Sequence, residues 1–145
     1  MEIQKTKQVV LIEGLFSYAI GFVRRVYKEP LEKLGYEVIS LPWTASIPKC
    51  DVVIAHSFGA GYAVKKNPMC KMLITMDARR WDFWNNSKLV KPLACDQNYN
   101  YYQSSSMRGY PINGAENIDK GATGHTRLPS AVKDEVIEII KKERR

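Results

Sequence analysis

Asp51-Val-Val-Ile-Ala55-His56-Ser57-Phe58-Gly59-Ala60-Gly61 is the stretch on which the fold turns. Its first half is a short, apolar, β-branched run with no polar alternation, the pattern of a strand buried on both faces, as in a parallel sheet. The second half changes at once to small residues around a serine and leads into a helix-compatible stretch, Tyr62 to Lys66. A strand that runs directly into such a turn matches an A-x-S-x-G variant of the G-x-S-x-G turn. In that turn, small flanking residues permit a strained backbone that lifts the serine Oγ above the sheet. Ala55 stands where the first glycine would be, and alanine is the smallest residue that carries a Cβ.

Working outward, Gln8 to Glu13 is a second apolar run, ended by Gly14, and reads as the first strand. Ile20, Val23, Val26, Tyr27, Leu31 and Leu34 recur at helical spacing from Ala19 to Leu34, with Gly35 as the stop and Pro30 expected to kink or divide the helix. Tyr36 to Leu41 is the next strand, closed by Pro42, and Trp43 to Lys49 reads as a loop. Lys71 to Met76 is a strand that ends at Asp77. The pattern then fails from Ala78 to about Ala94, a long aromatic connection carrying Trp81, Phe83 and Trp84. Tyr99 to Gln103 reads as one more strand, a Gly/Asn-rich loop runs to His125, and Ser130 to Glu143 is the closing helix. Strands alternating with helices imply an α/β fold, a three-layer sandwich with a mostly parallel sheet of about five strands. No repeat or linker divides residues 1–145, so a single domain is expected.

Composition supports an ordinary globular chain: 145 residues, 45% hydrophobic and 26% charged. The +7 charge is spread over Lys5/Lys7, Arg24/Arg25, Lys65/Lys66, Arg79/Arg80 and the last residues, without a recognition-helix, RNP or zinc-finger pattern, which argues against nucleic acid as a partner. Cys50, Cys70 and Cys95 are odd in number and form no C-x-x-C pair. They speak against a disulfide framework and a zinc site and for a reducing compartment, and a cytoplasmic location is expected. No signal-peptide pattern opens the chain and no apolar run nears the roughly 18 residues of a membrane span.

A serine hydroxyl is a weak nucleophile and needs a base. Of the two histidines, His56 adjoins Ser57 within the turn and should point away from Oγ, whereas His125 follows a glycine-bearing loop before the last helix. Ser57 as nucleophile and His125 as base leave a carboxylate to orient the imidazole. Asp77, at the end of the fourth strand, is the choice, with Asp82, Asp96 and Asp119 as alternatives. Oxyanion donors are expected from the N–H of Phe58 and from Leu15 or Phe16 after Gly14. Phe16, Trp81, Trp84 and Tyr102 are candidates for an apolar substrate site. No metal or organic cofactor is called for.

These residues together resemble the small lipase- or esterase-like serine hydrolases of the α/β-hydrolase superfamily, particularly the minimal ones of bacteria and phages. The resemblance runs through Val-Val-Leu-Ile-Glu-Gly, His-Ser-Phe-Gly-Ala, Leu-Ile-Thr-Met-Asp, Asn-Tyr-Tyr-Gln, Gly-Ala-Glu-Asn and Gly-His-Thr-Arg-Leu-Pro. It implies a reduced α/β-hydrolase fold and hydrolysis of a small-molecule ester through an acyl-enzyme on Ser57, with the Ser, Asp, His order of that superfamily. Two departures stand out: Ala55 in the turn, and Glu13 where many such enzymes carry a histidine. They favour the alternative of a catalytically inactive, hydrolase-like binding protein. A nucleotide-binding, flavodoxin-like reading lacks a phosphate loop.

Overall fold

The computed structural model describes residues 7–14, 20–79, 93–105 and 107–144. Among them lie β1 (Gln8–Ile12), α1 (Phe22–Lys33), β2 (Glu37–Leu41), β3 (Val52–His56), α2 (Phe58–Lys66), β4 (Met72–Met76), β5 (Gln97–Tyr102), β6 (Glu116–Asp119), α3 (Leu128–Ala131) and α4 (Lys133–Arg144). The six strands form one sheet in the order β2-β1-β3-β4-β5-β6, and every neighbouring pair is parallel. The architecture is thus the expected α/β sandwich, with one strand more than the sequence indicates.

Pleating divides the central strands between two cores. Val9, Leu11, Val52, Ile54, Met72, Ile74 and Met76 face α1, α3 and α4, where Val23, Tyr27, Leu31, Leu128, Val136 and Ile140 close over them. Val10, Ile12, Val53, Ala55 and Leu73 face the other way, against Ala60, Ala63 and Val64 of α2. Burial on both faces is why β3 and β4 are apolar throughout rather than alternating. The chain leaves β1 toward one face and β3 toward the other, which opens a crevice at the carboxyl ends of these two strands. In open α/β sheets such a switch point is where ligands bind.

Several boundaries differ from the sequence reading. Helix α1 is not divided at Pro30; it continues to Lys33, and the Pro30 carbonyl accepts the Leu34 N–H at 3.2 Å. The closing helix starts earlier and comes in two pieces, α3 and α4, with Val132 between them. Helix α2 begins at Phe58, directly after the serine, rather than at Tyr62. Strand β6 falls in the expected Gly/Asn loop. Its polar sequence is stabilised by a side-chain ladder across three strands. The Thr75 hydroxyl donates to Asn100 Oδ1 at 2.8 Å, and Asn100 Nδ2 donates to Asn117 Oδ1 at 2.9 Å. Asn117 in turn holds both the N–H (2.8 Å) and the carbonyl (3.0 Å) of Ile112. Amides paired in this way, with Asn100 buried at the centre, act as ladder rungs, though their composition reads as loop.

Cys70 and Cys95 are joined by a disulfide, with Cα atoms 4.9 Å apart, and Cys50 is free. This corrects the expectation drawn from the odd cysteine count. The cause is register: Cys50, Cys70 and Cys95 each stand two residues before the mutually paired Val52, Met72 and Gln97, in a row at the amino ends of β3, β4 and β5. No helix among the described residues is long and apolar enough to cross a membrane.

Candidate functional site

Ser57 sits between β3 and α2 with φ 60 and ψ −128, a conformation that costs a non-glycine residue roughly 1–3 kcal/mol and persists only when its surroundings fix it. The fixing contacts are backbone ones. The Ser57 N–H donates to the Met76 carbonyl at 2.9 Å, and its carbonyl accepts N–H groups from Gly61 (3.1 Å) and Arg79 (3.0 Å). Gly59 is required by close approach: a Cβ there would lie 2.4 Å from the Glu13 carbonyl oxygen and 2.8 Å from Ile12 Cγ2. The first turn of α2 is therefore pressed against the end of β1. The serine stands at the amino end of a nine-residue helix, where oriented N–H groups and the helix dipole favour developing negative charge.

One strand along, Asp77 follows β4, also at positive φ (47) and buried. Its N–H donates to the Tyr101 carbonyl at 2.8 Å, so the backbone ladder ends there and the side chain turns over the sheet. Asp77 Oδ2 accepts from His125 Nδ1 at 2.9 Å. A carboxylate only accepts, so the proton of the neutral imidazole is on Nδ1 and Nε2 is left as an acceptor. His125 arrives on the turn after Gly124, whose φ of 95 suits glycine, just before α3. The carboxylate also receives the Gln103 N–H on Oδ1 (3.0 Å) and Gln103 Nε2 on Oδ2 (2.8 Å).

His56 turns into the interior, as its place beside the serine suggests. Its Nε2 donates to the His125 carbonyl at 2.9 Å, and the two rings lie 4.5 Å apart at 32°. Burial, then the neighbouring His125, push the His56 pKa down to about 3, so this imidazole is neutral and its Nδ1 carries no proton. Nδ1 is buried and finds no partner among the described residues. Glu13 is buried as well, but its carboxylate serves α1: Oε1 accepts the Val23 N–H (2.9 Å) and Oε2 the Arg24 N–H (2.9 Å). Gly21, the residue before this helix, offers no side-chain cap, so Glu13 supplies one from the end of β1. Burial raises the Glu13 pKa, an effect opposed by these two N–H groups and by the Arg24 charge.

Ser57, Asp77 and His125 are thus gathered at the carboxyl ends of β3 and β4. Of the alternative acids, Asp119 ends β6 with its Oδ1 on the Gly121 N–H (2.8 Å), and Asp96 lies at the opposite end of the sheet, before β5. Asp82 lies outside the described residues, as do Leu15, Phe16, Trp81 and Trp84. Tyr102 ends β5 beside Gly109, which packs on Asp77. The Phe58 ring meets Trp43 (6.4 Å), which is 4.9 Å from the Tyr62 ring. Trp43, Gln103 and Gly109 were not marked as site residues by the sequence. No local sequence signal singles them out.

No family model matches the chain, and no curated protein does. Among solved structures it is similar to the esterase domain of a Rhodothermus marinus protein, with a TM-score of 0.55 over 91% of this chain and 83% of that one. At 12% identity the likeness is one of fold. It shows that the two share an α/β fold.

Proposed function

We propose that the chain is a serine hydrolase that cleaves carboxylic esters through an acyl-enzyme on Ser57. The observation that carries the reading is the strained Ser57 turn set one strand away from a buried His125–Asp77 hydrogen bond of 2.9 Å. An ordinary turn serine has no need of a positive φ, and a buried histidine aligned on a carboxylate beside it has the tautomer a general base requires. The fold shared with an esterase domain supports the same reading.

In this mechanism His125 Nε2 takes the Ser57 proton as Oγ attacks the ester carbonyl, and Asp77 steadies the imidazolium. The N–H of Phe58, first in α2, and that of Leu15, outside the described residues, hold the oxyanion. Collapse of the tetrahedral intermediate expels the alcohol, which takes its proton from His125. Water, deprotonated by the same imidazole, then attacks the acyl-enzyme and releases the acid. His56 cannot share the base role: its Nε2–H is committed to the His125 carbonyl, and its basicity is suppressed by burial.

The test is turnover of a short-chain p-nitrophenyl ester series and covalent labelling by a fluorophosphonate, with Ser57→Ala and His125→Ala as companions. Turnover and labelling that both variants lose are expected. A wild-type chain inert to both reagents sinks the proposal and leaves a hydrolase-like binding protein.

A further inference from the structure

Gln103 is buried at the end of β5, and its N–H and side-chain amide bond to Asp77, Gly124 and Ser105 around the candidate site. Its N–H and Nε2 clamp the two oxygens of Asp77 at 3.0 and 2.8 Å. Its Oε1 accepts the N–H of Gly124 at 3.1 Å and of Ser105 at 2.6 Å. Two N–H donors on one end of the amide and a carboxylate on the other fix its orientation chemically. Gly124 immediately precedes His125, so the bonds close a ring: Asp77 to Gln103, Gln103 to Gly124, Gly124 through the chain to His125, and His125 back to Asp77. The backbone part also has a clear origin. Once Asp77 has left the sheet, its side chain stands in for the next β4 carbonyl and receives the N–H that β5 would otherwise donate to the ladder.

We infer that Gln103 is a positioning residue, which sets the separation and orientation of the His125 imidazole relative to Asp77. Its kinetic consequences rest on the hydrolase reading; the geometric claim does not. Gln103→Met keeps the volume but removes the Nε2 donor and the Oε1 acceptor, which leaves the His125–Asp77 bond without the side-chain brace between the carboxylate and Gly124. A misplacement on the scale of an ångström lowers kcat by on the order of a hundredfold, and KM, set by groups elsewhere, should stay unchanged. Gln103→Glu keeps the acceptor for Gly124 and Ser105 but sets a second, negatively charged carboxylate against Asp77 Oδ2 in place of the Nε2 donor. Among the described residues, the titratable groups facing His125 are Asp77 from β4 and His56 from β3, and His56 is neutral. The added negative charge therefore favours the imidazolium, and the acid limb of kcat/KM moves to higher pH.

The experiment uses the full chain and its two Gln103 variants, with folding checked by near-ultraviolet circular dichroism. The imidazole Nδ1–H proton of His125 is followed by NMR, assigned through its absence in His125→Ala, and kcat, KM and pH profiles are measured on a p-nitrophenyl ester. Loss or displacement of the Nδ1–H signal in Gln103→Met, with kcat down and KM held, is the expected result. An unchanged signal and unchanged kcat in folded variants would overturn the assignment. If the wild type is inert to ester and fluorophosphonate and the signal still vanishes in Gln103→Met, the positioning role stands and the hydrolase reading falls. Should Gln103→Met fail to fold, Gln103→Glu decides alone, through the signal and the acid limb.

Discussion

Asp77→Asn is the sharpest perturbation of the proposed triad, because its effect can be worked out from the donors around the side chain. Three donors point at the carboxylate: the Gln103 N–H at Oδ1, and Gln103 Nε2 with His125 Nδ1 at Oδ2. An asparagine offers one oxygen and one NH₂. With its oxygen toward His125, the NH₂ opposes the Gln103 N–H, and the imidazolium loses the negative charge beside it. With its NH₂ toward His125, the imidazole can pair only by moving its proton to Nε2, the atom that must accept from Ser57. Both arrangements contain a donor facing a donor, which costs about 1–3 kcal/mol of stability. At roughly 2–4 °C per kcal/mol for a domain of this size, the melting temperature should fall by several degrees without loss of the fold. The catalytic penalty is larger: the corresponding change in a Ser-His-Asp triad lowers kcat by about 10⁴, or about 5 kcal/mol of barrier. The assay is kcat/KM on a p-nitrophenyl ester, with melting measured on the same samples. If Asp77→Asn stays within about tenfold of a wild type that Ser57→Ala silences, Asp77 is not the orienting acid, since loss of a working triad acid costs far more than that.

Gly59→Ala must push its new methyl into the Glu13 carbonyl at 2.4 Å, and backbone on both sides leaves little room to yield. Chemical denaturation should show a loss of at least the 1–3 kcal/mol typical of overpacking, about as much as a core truncation, together with loss of ester turnover; wild-type stability would refute the close approach. His56 has a folded-state pKa near 3, below its unfolded value of about 6.5. The unfolded chain therefore binds a proton that the native one refuses, and stability present above pH 6.5 is lost as the pH falls toward 3, at up to about 1.4 kcal/mol per pH unit. His56→Gln should flatten that part of the stability–pH curve, and an unaltered slope would show that His56 ionises freely. The Cys70–Cys95 bridge spans 25 residues; loop-closure entropy assigns it about 3–4 kcal/mol. Reductant should lower the melting temperature, and thiol titration of the denatured, unreduced chain should find Cys50 alone; three reactive thiols and no effect of reductant would contradict the bridge.

What the sequence reveals follows from burial. Strands β1, β3 and β4 are covered on both faces, so their apolar runs have no alternative reading. Strand β6 is short and polar, and its partners in β5 are asparagine and tyrosine, so the Thr75–Asn100–Asn117 ladder that stabilises it appears only once three strands are in register. The start of α2 was concealed by Gly59 and Gly61, which read as loop residues although the contact with β1 demands a small residue at Gly59. The same division runs through the site. Ser57 is marked locally, by small residues at fixed offsets, and Asp77 and His125 by their places after a strand and before a helix. Gln103 has no local mark, because its role depends on bonds to two segments 21 and 26 residues away. The disulfide was hidden for the same reason: cysteine count is a property of composition, whereas pairing is a property of register.

The two non-glycine residues strained by positive φ in this crevice, Ser57 and Asp77, end adjacent strands, and backbone bonds that hold Ser57 come from the residues flanking Asp77. Ser57 is tied through its N–H to Met76, the residue before Asp77, and through its carbonyl to Arg79, two residues beyond it. Asp77 is tied to Tyr101 and Gln103 of the next strand, and through His125 to His56, the residue before Ser57. Neither turn can relax alone. Relaxing Ser57 releases the Met76 carbonyl and the Arg79 N–H on either side of Asp77; relaxing Asp77 frees the imidazole that packs on His56. Strain of this kind persists only where the surrounding structure over-determines it, and here β4 and α2 hold Ser57 while β5 and the His125 loop hold Asp77. The arrangement explains how an alanine at position 55 is compatible with the turn. The elbow is held from β4 and α2 rather than by glycine on its own strand, and Ala55, fully buried against α2, adds to the packing that fixes it.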